Sequence, residues 1–359
     1  MPAIASAIAS CGNGGIIVIP AGKQFQINSV MSFTGCKNCE IQVEGTLKVS
    51  DNLDYWSGRK AIFSISGITK ATIHSKTGSG VIDGNGQAAW DYFAENSSYS
   101  RPTLMYITGS SGITIDSIYF KNAPNVFHSA AGSSKDIVYS NIKLYAVSKS
   151  SNVAHNTDGW DVGPASYVTM NNLTVTNDDD CIAFKPGANY VSVNGITCTG
   201  SHGLSVGSLG SKAGTVDTVS NVYVKNAKMI DSTKAAGIKL YPHGSSHGSA
   251  KVSNVTWDGV VVQNTDYAFQ IQSCYGEETS YCTSNPSNST LTDINVLNFS
   301  GTTSTKYAPA TANVNCPADG TCDITFKSWT VKAGSGTGKV LCANSNGLTG
   351  VTCSSGASG

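Results

Sequence analysis

Carboxylates crowd one stretch of a chain that is otherwise sparing with charge. Residues 156–187, NTDGWDVGPASYVTMNNLTVTNDDDCIAFKPG, hold five aspartates and one cation, Lys185, although charged residues make up only 13% of the chain. The aspartates are Asp158, Asp161, Asp178, Asp179 and Asp180. Carboxylates about 5 Å apart oppose each other's ionisation, so the pKa of one of them should rise. A protonated acid beside ionised partners is what acid–base hydrolysis of a glycosidic bond requires.

Such a cluster needs a fold that superimposes distant residues, and a repeat of short strands predicts one. Alternating β-branched runs such as ITIDSIYF (113–120) and IVYSNIKL (137–144) recur between Gly, Asn and Asp residues, with no 10–15-residue helical pattern between them. The recurring aliphatic positions, at intervals of 24, 31, 23, 26 and 33 residues, are Ile118, Ile142, Leu173, Ile196, Val222 and Val255. Repeats of this length built from short strands indicate a solenoid.

The predicted fold is therefore all-β, a right-handed parallel β-helix that forms a single catalytic domain over 1–359. A sandwich or propeller with accidental spacing is the alternative. Asn residues suit the bends because they tolerate left-handed backbone and stack in ladders. The segment AIASAIAS near the N-terminus is expected to form a short amphipathic helix that caps one end, and the Cys-rich C-terminal tail is expected to cap the other.

Coil-to-coil stacking explains why the aspartates gather. One coil moves a residue about 4.8 Å along the axis and little sideways. Asp158 and Asp180 are 22 residues apart, Asp180 and His202 are again 22 apart, and His202 and Lys239 are 37 apart. We therefore expect Asp158, Asp179 with Asp180, His202 and Lys239 to form one column on one face.

Four ordered motifs resemble the glycoside hydrolases of family 28, the polygalacturonases and their pectin-degrading relatives. They are NTD (156–158), NDDDC (177–181), GSHG (200–203) and GIK (237–239), the last a degenerate form of the family's R-I-K. The similarity spans essentially the whole chain. It implies an inverting hydrolase of α-1,4-galacturonosyl linkages in pectin, with no cofactor and no metal.

The resemblance also assigns roles to residues. Asp179 matches the general acid, Asp158 and Asp180 match the pair that activates water, and His202 matches the histidine that tunes the acid. Lys239 matches the cation that grips a galacturonate carboxylate, while Asn156 and Tyr267 are weaker assignments as substrate contacts. Inversion implies acid and base carboxyls about 6.5–9.5 Å apart, which leaves room for water.

Position 237 departs from the family, because Gly237 stands where the R-I-K motif has arginine. Glycine removes a cation and a large side chain from the cleft floor, which weakens binding of bare galacturonan and leaves space for a bulkier sugar. The flanking residues also look like the xylogalacturonan hydrolase branch, which cuts the backbone where it bears xylose. An endo- or exo-polygalacturonase acting on unsubstituted homogalacturonan is the alternative.

Two other function classes and a metal site were weighed against hydrolysis. A pectin or pectate lyase needs a cationic base and usually calcium, which a carboxylate triad fits poorly, and a non-catalytic carbohydrate-binding β-helix would not depend on its acids. The aspartates could hold Ca²⁺, but His202 and Lys239 are not hard-cation ligands. Asp178 is interpreted as a solvated turn residue, Asp161 as locally paired, and His243 and His247 as loop residues that do not catalyse.

Cysteines and sequons point to a secreted, extracellular protein whose leader has been removed. The eleven cysteines include three close pairs typical of local staples, 274/282, 316/322 and 342/353, and the odd number leaves one thiol over. Cys181 and Cys198 are expected to pair beside the site, whereas the pairing of Cys11, Cys36 and Cys39 is open. The N-x-S/T sequons are Asn96, Asn172, Asn254, Asn288 and Asn298.

Charge and hydropathy restrict the partners. The formal net charge is zero, so neither nucleic acid nor an anionic membrane is expected as a partner, and no apolar run approaches the roughly 18 residues of a membrane span. The expected partner is a pectic polysaccharide substrate, bound by a monomer.

Overall fold

The computed structural model describes residues 2–359, and these divide into two compact units, one ending at Asp180 and one spanning Cys181–Gly359. We call them the N-terminal unit and the C-terminal unit. The helices of the described residues are α1, Pro2–Cys11; α2, Leu53–Trp56; α3, Gln87–Glu95; and α4, Thr279–Ser284. Single-domain organisation over 1–359 stays a prediction.

Strands dominate both units. Those of the N-terminal unit are β1, Ile16–Ile19; β2, Gln24–Ile27; β3, Met31–Ser32; β4, Lys37–Val43; β5, Thr46–Val49; β6, Ala61–Ser66; β7, Thr69–His74; β8, Val81–Asp83; β9, Thr103–Thr108; β10, Ser111–Asp116; β11, Tyr119–Lys121; β12, His128–Ala131; β13, Ser134–Tyr145; β14, Trp160–Val162; and β15, Ala165–Thr176. Those that follow are β16, Asp180–Phe184; β17, Asn189–Thr199; β18, Gly203–Leu209; β19, Val216–Ile230; β20, Lys234–Leu240; β21, Ser249–Thr265; β22, Tyr267–Gln272; β23, Thr290–Thr303; β24, Ala310–Asn315; β25, Thr321–Lys327; β26, Lys339–Ala343; β27, Leu348–Thr349; and β28, Cys353–Ser354.

The strands pair in parallel stacks, each taking one strand from each coil. In the N-terminal unit the stacks run β1-β4-β7-β10-β13-β15, β3-β6-β9-β12-β14 and β2-β5-β8-β11. In the C-terminal unit they run β17-β19-β21-β23-β25-β27 and β16-β18-β20-β22-β24-β26-β28. This is the predicted right-handed parallel β-helix, with the handedness that parallel crossovers take in nearly all proteins.

Aliphatic ladders fill the interior of the coils and fix their register. Ile113, Ile137 and Val168 are partners on β10, β13 and β15, and each is at most 1% exposed. Burying one such side chain contributes about 1.5–3 kcal/mol. A slip of one residue would turn the whole ladder outward, so the register is strongly specified.

The repeat read from the sequence is right in part. Ile142 pairs with Leu173, as predicted. The alignment of Ile196 with Val222 is wrong, because Val222 pairs with Val191 and Ile196 pairs with Ala227. Strand β17 carries two aliphatic positions five residues apart, and the spacing alone selected the wrong one.

Asparagines line the bends, as predicted. Asn172 Nδ2 donates to Asn141 Oδ1 at 2.8 Å, and Asn254 Nδ2 donates to Asn221 Oδ1 at 2.8 Å. All four residues have φ between 52° and 55°, the left-handed region that Asn tolerates better than other side chains. The amides thus hydrogen-bond one coil to the next at the bends.

Both chain ends behave as the sequence predicts. Ile4 and Ile8, one helical turn apart on α1, are 5% and 1% exposed, so the helix buries an apolar face against the first coil. The Cys-rich tail supplies β27 and β28, the last strands of the two stacks in the C-terminal unit. No helix among residues 2–359 combines the length and apolar character needed to cross a membrane.

Five disulfides are formed, and they include all four predicted pairs. The bridges are Cys36–Cys39, Cys181–Cys198, Cys274–Cys282, Cys316–Cys322 and Cys342–Cys353. In the described residues Cys11 is the thiol left over, and it is exposed. The question left open for the first three cysteines is therefore answered by a bridge between Cys36 and Cys39.

Candidate active site

Asp158, Asp179 and Asp180 come together in the N-terminal unit. One carboxylate oxygen of each lies within 4.8 Å of one oxygen of both others. Asp158 is 5% exposed and Asp180 is 1% exposed, while Asp179 is half-buried. The backbone N–H of Gly159 donates to the carbonyl of Asp180 at 3.0 Å, which joins the two coils at this point. The interval of 22 residues therefore corresponds to one coil.

Two uncharged residues of the motifs hold the acid-bearing segments together. Asn177 Nδ2 donates to the carbonyls of Thr157, Asp179 and Asp180 at 2.8–3.0 Å. The Thr157 hydroxyl donates to the carbonyl of Ala154 at 2.7 Å and accepts from the Asp178 N–H at 3.1 Å. Both residues are at most 4% exposed. Their role is to fix the backbone that carries the carboxylates.

Asn156 lies beside the candidate acid. Its Nδ2 donates to Asp179 Oδ2 at 3.3 Å, and the other oxygen of Asp179 accepts from the N–H of Asp180 at 2.8 Å. On its far side, Asn156 Oδ1 accepts from Arg101 at 2.6 Å. The sequence analysis assigned Asn156 to substrate, and the structure shows that its amide is engaged with Asp179 and Arg101.

Arg101 is a charged neighbour of the site that the sequence analysis missed. It is 7% exposed, and burial lowers its pKa to about 10, although the charge of nearby Asp179 opposes that shift. It lies 55 residues before Asn156, in the segment between α3 and β9. The only available signal was its rarity, since Arg59 is the other arginine in the chain.

The carboxylates lie closer together than the resemblance implied. Their nearest oxygens are within 4.8 Å, whereas inversion suggests carboxyls about 6.5–9.5 Å apart. For these nearest oxygens the expectation was wrong. A water molecule can still bridge two of them, because two hydrogen bonds of about 2.8 Å span 4.8 Å with an angle near about 120° at the water.

His202, Lys239 and Tyr267 belong to the C-terminal unit. His202 directly precedes β18, Lys239 lies on β20 and is 7% exposed, and Tyr267 begins β22. Lys239 Nζ is 5.6 Å from the centroid of the Tyr275 ring. The Tyr267 ring stacks on Tyr307 with centroids 4.7 Å apart and planes 7° apart, which covers one face of Tyr267.

The predicted column is wrong in the C-terminal unit, where Lys234 rather than Lys239 is level with His202. Leu204 pairs with Ala236, an offset of 32 residues, so His202, two positions earlier, is level with Lys234. Lys234 in turn pairs with Tyr267. Lys239 is five residues further along, which is about 16 Å of strand. A column that joins these residues to the three aspartates stays a prediction.

Lys234 also explains why position 237 is glycine. A Cβ at Gly237 would lie 2.3 Å from the carbonyl oxygen of Gln270 and 3.0 Å from Lys234 Cδ. A Cβ at Gly203 would lie 2.9 Å from Lys234 Cγ. The stem of Lys234 therefore occupies space beside both glycines, and Lys234 is only 4% exposed. This buried cation lies three residues before the position where the family motif has arginine.

The remaining candidates have structural contacts. The N–H of Asp178 donates to Thr157, in a half-buried turn. His243 is exposed in the loop after β20. His247, in the same loop, is 8% exposed, stacks on Tyr241 at 4.9 Å and lies with Nε2 3.0 Å from Glu277 Oε1. The loop position of His247 is as predicted, but its side chain packs instead of projecting into solvent.

The model of the glycosyl hydrolases family 28 matches residues 11–355. The chain belongs to this family. Family 28 membership makes it a glycoside hydrolase and accounts for the β-helix and the ordered motifs. Endo-xylogalacturonan hydrolase A of Aspergillus tubingensis is 58% identical over 359 residues, which cover 100% of this chain and 88% of that protein.

Solved structures agree with this assignment. The crystal structure of endo-xylogalacturonan hydrolase from Aspergillus tubingensis superimposes with a TM-score of 0.98 at 58% identity, covering 100% of this chain and 96% of the other. The polygalacturonase of Erwinia carotovora ssp. carotovora gives 0.77 at 21% identity, covering 98% and 93%. The second match shows a shared fold alone.

Proposed function

We propose that this family 28 enzyme hydrolyses internal α-1,4-galacturonosyl linkages in xylose-substituted galacturonan. The observation that carries the chemistry is the cluster of Asp158, Asp179 and Asp180. The substrate rests on the relative that shares 58% of its residues and is named endo-xylogalacturonan hydrolase. Gly237, where the family motif has arginine, adds support for a site that differs from that of ordinary polygalacturonases.

In the proposed reaction the three carboxyls divide two tasks. Asp179, in its protonated form, gives its proton to the glycosidic oxygen as the bond from that oxygen to the anomeric carbon breaks. A water held between Asp158 and Asp180 forms the new bond to the anomeric carbon and passes its proton to one of these carboxylates. His202 tunes the acid, and Lys239 binds a galacturonate carboxylate, with Asn156 and Tyr267 as weaker contacts. No cofactor takes part.

The enzyme is proposed to act outside the cell as a monomer. Five disulfides support this location, because such bonds persist in oxidising compartments. A neutral surface gives no reason to expect nucleic acid or a membrane as partner.

The decisive experiment compares release of reducing ends from plain and xylosylated galacturonan, with the products sized by chromatography. Faster release of mixed oligosaccharides from the xylosylated polymer is expected. Equal or faster hydrolysis of the plain polymer would favour a polygalacturonase, and monomers alone would indicate exo action. Products that absorb in the ultraviolet would indicate a lyase.

Asp179→Asn tests the acid. The variant should fold normally and lose about 10²–10⁴-fold in kcat, the usual contribution of a positioned acid. Exposed Asp136→Asn, on β13, is the matched control and should retain full activity. Near-full activity of Asp179→Asn would reject the assignment and favour a carbohydrate-binding protein.

A further inference from the structure

The guanidinium of Arg101 is enclosed by acceptors and an aromatic ring. It donates to the carbonyls of Pro124 at 3.1 Å and His155 at 2.5 Å, and to Asn156 Oδ1 at 2.6 Å. Its Cζ lies 3.8 Å from the centroid of the Phe93 ring on α3. A buried arginine with this many partners is held in one geometry.

The contact with Arg101 decides which way the Asn156 amide points. A guanidinium only donates hydrogen bonds, so Asn156 must present its oxygen to Arg101. Its NH₂ group then faces Asp179, and Nδ2 lies 3.3 Å from Oδ2. Asn156 itself has φ of 57°, a backbone conformation in which few other side chains are comfortable. The order of contacts is therefore Arg101, Asn156, Asp179.

We propose that Arg101 is a positioning residue for the general acid and acts through the Asn156 amide. The proposal rests on the proposed function, because it takes Asp179 as the acid. With Arg101 in place, the acid is held by a donor of fixed orientation on one oxygen and by the Asp180 N–H on the other. Without Arg101, the amide is free to rotate and the acid loses its alignment with the glycosidic oxygen.

This arrangement has a consequence for pH dependence. Both the positive charge of Arg101 and the Asn156 N–H favour the ionised form of Asp179, so their removal makes the acid keep its proton to higher pH. The other charged or titratable groups around Asp179 in the N-terminal unit are Asp158, Asp180, Asp178 next to it in the chain, and His155 beside Asn156. His202 in the C-terminal unit is assigned to tune the same acid. All of them are retained in the variants, so a difference between enzymes reports the contact removed.

The test measures kcat and KM on xylosylated galacturonan from acid to neutral pH for Arg101→Met, Arg101→Lys and Asn156→Gly. Glycine accepts the positive φ of Asn156 without strain, so this variant separates loss of the amide from misfolding. Arg59→Met is the matched control, because Arg59 also lies over a tyrosine ring, 4.7 Å from the centroid of Tyr55, but is exposed.

The expected result is a common change in two variants. Arg101→Met and Asn156→Gly should move the alkaline limb of kcat up by about one pH unit and lower kcat by about 10-fold or more, with KM little changed. Arg101→Lys should recover part of both effects, and Arg59→Met should match the wild type.

Two outcomes would be read differently. An unshifted alkaline limb in folded Asn156→Gly and Arg101→Met overturns the proposal, even if both are slower. If Arg101→Met does not fold, Asn156→Gly alone decides. Retained activity in Asp179→Asn would instead reject Asp179 as the acid, whatever the arginine variants do, so the two failures are distinguishable.

Discussion

Glu44, far along the chain from the acids, is predicted to make the N-terminal unit sensitive to acid. Its carboxylate is 7% exposed. It accepts hydrogen bonds from Gln42 Nε2 and Ser75 Oγ, both at 2.9 Å, from the N–H of Lys76 at 2.7 Å, and from the Thr77 hydroxyl. Burial raises the pKa of Glu44, but these hydrogen bonds outweigh it and lower the pKa from 4.5 to about 2.

The magnitude follows from this shift. A lowered pKa in the folded protein stabilises it above the unfolded value near 4.5, and this contribution is lost as the pH falls from 4.5 towards about 2. A difference of about 2.5 units corresponds to about 3 kcal/mol. Glu44→Gln, which also turns NH₂ towards a cluster of donors, should therefore lower the free energy of unfolding by about 3 kcal/mol at pH 7.

Urea denaturation at pH 7 and at pH 3 measures the effect. The deficit of Glu44→Gln should shrink at pH 3, because the wild type has by then lost part of the same stabilisation. Exposed Glu95→Gln, at the end of α3, is the control and should match the wild type at both pH values. A deficit below about 0.5 kcal/mol at pH 7, or one unchanged at pH 3, would refute this reasoning.

Four further predictions follow from the site and the bends. Gly237→Arg should lower the melting temperature and the activity on both polymers, because its Cβ would meet the Gln270 carbonyl at 2.3 Å; a stable variant that prefers plain galacturonan would contradict this. Proton NMR of the first product should show the inverted, β anomer, and an α product would mean that the closely spaced carboxylates work by retention. Dialysis against EDTA should leave activity intact, whereas loss restored by Ca²⁺ would indicate a metal at the aspartates. Mass spectrometry of enzyme secreted by a fungal host should find glycans at the exposed Asn96 and Asn288 and none at Asn172 or Asn254, whose amides donate along the bends; occupied Asn172 would refute that assignment.

The sequence predicted the fold because each coil repeats the same physical requirement. Every coil must bury an aliphatic residue and place a residue with positive φ at a bend, so the pattern recurs and is visible without a structure. The gathering of Asp158 with Asp180 was predictable for the same reason, since the intervening coil is short and regular. The pattern failed at Ile196, where β17 offers two equivalent aliphatic positions.

What the sequence did not predict are the features set by irregular segments. The loop between β18 and β20 has no repeat to count, so an interval of 37 residues was taken as one coil when the strands are offset by 32. Helix α3 was also missed, because a nine-residue helix in a single turn leaves no periodic signal. Arg101 follows that helix, and only tertiary contact brings it to Asn156.

The position of α3 between β8 and β9 suggests how such enzymes change their preferences. The helix is an addition to a turn, and the ladders on either side keep their register, with Trp90 of α3 anchored by a hydrogen bond to the Ala123 carbonyl at 3.0 Å. Lengthening a turn therefore remodels the walls around a substrate while the reacting groups stay where they were. Evolution of new pectin specificities in this architecture can proceed by loop growth, without passing through inactive intermediates.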